Sequence, residues 1–193
     1  MKFRAIASLV MALCLAASAN ASSISVYSAP DGTNCNFNTA AFTPFSIYVI
    51  AILGGDAAGG GITGAELRLT NVDSAWFNTV VANPAANLTL GSPIDATGGN
   101  IAFPSCQTGG QITLYTINSL ALSTPTSRIL GVVARNPPSN INFNCPLVTL
   151  CDANFTSLCV RGGEAFMNRA GSPPCTVGVE QKSWSGVKEL FKN

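Results

Sequence analysis

The sequence predicts an all-β chain: an antiparallel immunoglobulin-like or jelly-roll β-sandwich with three disulfides and a short C-terminal amphipathic helix. Three observations carry that expectation. Short stretches rich in β-branched and aromatic residues recur along the chain, separated by turns dense in Gly, Pro and Asn. No sustained 3.6-residue apolar period occurs before residue 180. Six cysteines follow an N-terminal export signal, an even set of the kind that cross-links exported domains.

Residues 1–21 read as a signal peptide: Lys2 and Arg4 give a positive start, Ile6 to Ala17 an apolar run, and Ala19-Asn20-Ala21 a small-x-small cleavage site. The run is shorter than the roughly 20 residues that span a bilayer. Leu13 before Cys14 is too large for a lipidation site. Cleavage after Ala21 leaves 172 residues carrying 8 basic and 9 acidic groups, a net charge of −1. A near-neutral exported chain has no pull toward nucleic acid or anionic lipid, so neither a nucleic-acid partner nor membrane insertion is expected after cleavage. The expected location is extracellular, cell-surface or periplasmic.

The β-sandwich is expected over residues 22–180. Candidate strands are Ile24 to Ser28, Phe45 to Leu53, the alternating stretch around Leu67 and Leu69, Trp76 to Ala82, Gln111 to Ile117 and Arg128 to Ala134, with Thr176–Gln181 as a further one. The run Gly54 to Gly61 lacks the Lys and Ser/Thr of a phosphate-binding loop and reads as a mobile strand-to-strand connection. Cys35, Cys106, Cys145, Cys151, Cys159 and Cys175 are read as three disulfides and not as zinc ligands, since no Cys-x-x-Cys pair and no His occur. The expected pairing is Cys151–Cys159, Cys145–Cys175 and Cys35–Cys106. Residues 181–193 are expected to form a helical tail in which Ser183 caps and Trp184, Val187, Leu190 and Phe191 share one face. That helix either packs on its own sandwich or serves as a partner-binding tag.

The strand Phe45–Leu53, its following loop and then Gly61-Ile62-Thr63-Gly64-Ala65-Glu66-Leu67-Arg68-Leu69 resemble the opening of cohesin-like and carbohydrate-binding β-sandwich modules. More broadly, the mature chain with its Trp184…Lys188…Leu190-Phe191 tail resembles uncharacterised secreted bacterial single-domain proteins. The resemblance implies architecture and carries over no binding residue; the six cysteines depart from the usual cohesin pattern.

The lack of histidine excludes Ser-His-Asp and Cys-His chemistry. Ser185-x-x-Lys188 falls on the expected short tail, which leaves no room for a surrounding pocket and reads as a chance match. The nine mature carboxyls show no spacing that singles out a glycosidase pair, and Asp31/Asn34 and Asp152/Asn154 read as turns and not as calcium loops. No catalytic residue, metal or cofactor is therefore assigned. A role in extracellular recognition or surface assembly follows, with a polysaccharide, another surface protein or a second copy as partner. The candidate contact residues are the aromatics Tyr27, Trp76, Tyr115, Trp184 and Phe191, with Tyr48 weighed beside them. The rival expectation is a small secreted glycoside hydrolase or lyase working with two carboxylates.

Overall fold

The computed structural model of the chain describes residues 22–171 and 175. The signal peptide, the Thr176–Gln181 strand and the tail with Trp184 and Phe191 lie outside the described residues. The strands are β1 (Ser23–Tyr27), β2 (Asn36–Phe37), β3 (Pro44–Ile52), β4 (Ile62–Thr70), β5 (Phe77–Ala82), β6 (Leu88–Gly91) and β7 (Gly99–Gln107). They continue with β8 (Gln111–Leu120), β9 (Arg128–Val133), β10 (Leu147–Leu150), β11 (Ser157–Cys159), β12 (Arg161–Gly162) and β13 (Glu164–Met167).

One sheet has five strands in the order β12-β1-β3-β8-β5; the other has eight, running β11-β10-β4-β9-β13-β2 with β7 beside β4 and β6 beside β7. Most pairs are antiparallel, as expected. Two are not: β1 runs parallel to β12 and β13 parallel to β2, so both sheets are mixed. These short strands return along the sandwich edge and align with strands laid down more than a hundred residues earlier, which no local hairpin signal encodes.

Alternation decides which side chains meet between the sheets. Ile24 and Val26 of β1 pair with Ala51 and Val49 of β3, and Ile47 pairs with Ile117 of β8. All are buried and face Ala65, Leu67 and Leu69 of β4, Ile101 and Phe103 of β7, and Leu130 of β9 across a single core. The run after β3 is not an unstructured loop. Residues Asp56–Gly60 form a short helix, α1, which tucks a fully buried Ala57 under the sandwich end. Gly61 then starts β4 with φ +78°, and a Cβ there would sit 2.4 Å from the Gln107 carbonyl oxygen, so the chain turns against β7 at a point only glycine fits.

The three disulfides are present, with a different pairing from the expected one. Cys35 joins Cys175, Cys106 joins Cys151 and Cys145 joins Cys159. Cys151 and Cys159 flank the hairpin of β10 and β11, but Cys159 lies beside Leu147 in register, at the end where Cys145 enters; Cys151 lies at the opposite end, near the close of β7. Strand register, which sequence spacing does not show, selects the partners.

Candidate functional site

Register places Leu90, Asn100, Glu66, Leu147 and Cys159 in one cross-strand row, and Leu88, Ala102, Gly64, Thr149 and Ser157 in the next. The row between them (Thr89, Ile101, Ala65, Val148, Leu158) sends Ile101, Ala65 and Val148 into the core. The first two rows therefore form the outer face of β6-β7-β4-β10-β11. On that face runs an open groove of about 320 Å³. Small residues make its floor: Gly64, where a Cβ would meet the Ile101 carbonyl oxygen at 2.9 Å, and Ala102. Its walls are apolar and open to solvent, with Leu88, Leu90 and Phe155 51%, 55% and 63% exposed.

Glu66 is the polar centre of this groove. It is 5% exposed, and its Oε1 accepts the Ser139 backbone N–H at 2.9 Å. Its Oε2 and the neighbouring Asn100 Oδ1 are buried with no hydrogen-bond partner. A buried acceptor without a donor costs about 1–3 kcal/mol, and this face carries two of them side by side.

The walls are held in place covalently and by turns. Cys106–Cys151 ties the end of β7 to the end of β10, and Cys145–Cys159 ties the approach to β10 to β11. Phe155 sits at φ 48° in the β10–β11 turn. Asp152 holds that turn by accepting from the Thr156 hydroxyl and, at 2.7 Å, from the Thr156 N–H. These bonds, the hydroxyl first, hold the Asp152 carboxyl below its ordinary value.

Of the aromatics expected to form a contact surface, Tyr27, Trp76 and Tyr115 lie elsewhere. Tyr27 and Tyr115 are 1% exposed and Trp76 is 7%, so none offers a face for stacking. Trp76 packs edge-on against Phe45 with centroids 5.3 Å apart, under the Arg128 guanidinium at 5.2 Å. It precedes β5 at a sheet edge, as its turn signal indicates, yet its ring is drawn inward. Burial pushes the Tyr115 hydroxyl up to about 12, and it raises Tyr27 as well, partly offset by a hydrogen bond with Ser25. Tyr48 is half-buried against the core.

Asp31 accepts from its own turn residue Thr33, at the backbone and at the hydroxyl, as an Asx-turn does. Among the described residues no group of three His, Cys, Asp or Glu converges as metal ligands. Glu66 is the one carboxyl among the described residues that line the groove. No helix among the described residues is long and apolar enough to cross a membrane.

No protein-family profile matches the chain. No curated protein sequence matches it either. Solved structures do. A cohesin module from the family 33 glycoside hydrolase of Clostridium perfringens superposes with a TM-score of 0.51 at 12% identity, over 78% of this chain and 99% of that module. The seventh ScaB type I cohesin from Pseudobacteroides cellulosolvens gives a TM-score of 0.50 at 11% identity, over 79% of this chain and 94% of that one. At such identities the likeness is one of fold, and the fold is a cohesin-like β-sandwich.

Proposed function

We propose that this chain is an exported, non-catalytic recognition module that docks a partner protein on the outer face of β6-β7-β4-β10. The observation that carries the reading is Glu66: a carboxyl 5% exposed, with an unpartnered Oε2, at the centre of an open groove walled by exposed Leu88, Leu90 and Phe155. Apolar walls around one buried polar anchor are the anatomy of a binding hot spot. The complementary segment brings a donor, a Lys or Arg side chain, flanked by apolar residues. The likeness to cohesin modules supports a protein partner, and the three disulfides together with the leader at 1–21 support export into an oxidising space.

Selection of a random peptide library on the immobilised chain tests this. Enrichment of basic residues flanked by apolar ones is expected. Glu66→Gln should weaken the selected peptides about tenfold or more, and Leu90→Lys should abolish them. Peptides that bind both variants like the parent would sink the proposal. Turnover in a polysaccharide screen, removed by Glu66→Gln, would replace it with the carboxylate-enzyme reading.

Self-assembly has an observation of its own. β5, of sequence FNTVVA, ends its sheet among the described residues, without a charge or proline to block pairing, and Phe77 and Val81 are 64% and 47% exposed. A twofold at Thr79 would set Phe77 opposite Val81 of a second copy. Light scattering that shows a dimer, dispersed by Val81→Lys, would support it.

A further inference from the structure

The described residues hold five cationic side chains, all arginines. Arg128 is paired with Asp73 at 3.0 Å, and Arg169 lies over the Phe166 ring. The other three, Arg68, Arg135 and Arg161, line one cavity of about 600 Å³, where β9 and the segment after it meet β12. Arg68 comes from β4, opposite Val133 of β9; Arg135 lies two residues beyond Val133; Arg161 opens β12.

Among the described residues no carboxylate forms an ion pair with any of the three. Glu66, two positions before Arg68 on the same face of β4, takes the Ser139 N–H instead. The Nε atoms of Arg68 and of Arg135 are both buried with no hydrogen-bond partner, and Arg135 spends one Nη donor on the Pro137 carbonyl at 3.0 Å. Three guanidinium groups sharing a cavity repel one another, and buried donors of a charged group left unpaired are costly. A chain this poor in charge has placed three-fifths of its described cations around one cavity, a setting that favours an anion.

We propose that this cavity binds an acidic saccharide through its carboxylate or sulfate. A planar guanidinium fork matches either oxyanion with two parallel N–H bonds, which an ammonium cannot do. The rest of the lining suits a sugar: Asn136 and Asn144 amides for hydroxyls, and the part-exposed Pro138 for the apolar face of a ring. The volume falls within the usual range for small-molecule sites, roughly 300–1,000 Å³. The cavity shares no lining residue with the Glu66 groove, so this site and the protein-docking site stand or fall separately.

Calorimetric titration of the full chain tests it with five probes: an oligogalacturonide, a chondroitin sulfate oligosaccharide, a neutral cello-oligosaccharide of matched length, an oligoglutamate peptide and sodium sulfate. Binding of either acidic saccharide, weakening with salt, is expected, and which of the two binds identifies the oxyanion. Arg161→Ala, at an exposed position, should weaken it about tenfold with an unchanged melting curve. Arg135→Lys should weaken it comparably although the charge is kept. Equal binding of the neutral saccharide, tighter binding of oligoglutamate, binding of free sulfate alone, or an Arg161→Ala titration that matches the parent would each overturn the proposal.

Discussion

Removing the disulfides one pair at a time should destabilise the chain in an order set by the loops they close. Cys35–Cys175 spans 140 residues, Cys106–Cys151 spans 45 and Cys145–Cys159 spans 14. Loop-closure entropy converts these spans into about 5, 4 and 3 kcal/mol respectively. For a domain of this size about 4 kcal/mol corresponds to a fall of roughly 10 °C in melting temperature. The double variant Cys106→Ala/Cys151→Ala is the informative one, because this bridge also fixes two walls of the groove. Urea unfolding of the three double-Ala variants against the parent would measure the series, with the m-value checking that each remains two-state. The Cys106–Cys151 variant should lose groove-directed peptide binding in excess of its stability loss. A reversed order at constant m-value, or mass mapping that finds Cys151 bonded to Cys159, would refute the reasoning.

Three further outcomes are expected. Trp76→Ala removes an almost fully buried indole from against Phe45 and should cost about 3–5 kcal/mol in denaturant unfolding, whereas breaking the part-exposed Arg128–Asp73 pair with Arg128→Gln should cost about 1 kcal/mol or less. Burial raises the Tyr115 hydroxyl to about 12 from 10.0, so the folded state holds that proton more tightly; the stabilisation is complete below pH 10 and is lost as pH rises toward 12. Tyr115→Phe should flatten that alkaline limb of the unfolding curve. A methyl group on Gly162 would lie 1.9 Å from the Val132 carbonyl oxygen, so Gly162→Ala should push β12 off β9, cost about 2 kcal/mol or more by thermal melt, and open the arginine cavity.

The sequence discloses the sandwich better than its working surface. Strands with clean alternation or dense β-branching, such as Pro44–Ile52 and Ile62–Thr70, are visible without the structure. The strands that build the groove are the weakly encoded ones. β7 opens on Gly99 and carries Pro104, both of which read as punctuation, and β6 and β10 are four residues each. They are strands because β4 pairs with β7 and β10 on its two sides, a tertiary fact. Glu66 accordingly looked like any half-buried strand's polar residue until Asn100 and Leu147 were set beside it. Tyr27, Trp76 and Tyr115 are not contact residues for the opposite reason: large rings are drawn inward when a core is available. The cysteine count is legible and their pairing is not, since each bridge joins segments that only strand order brings together. The arginine cavity had no linear signal at all, its three members lying on separate segments.

The Cys35–Cys175 bridge has a mechanical consequence. Tension applied between the two ends of the chain passes directly through that sulfur–sulfur link, and everything from β2 to β13 is short-circuited out of the load path. Among the described residues, the segment ahead of Cys35, with β1, is what remains to be peeled away. A copy pulled from both sides would therefore keep β2 to β13, and with them the Glu66 groove and most of the arginine cavity's frame, sheltered behind that link.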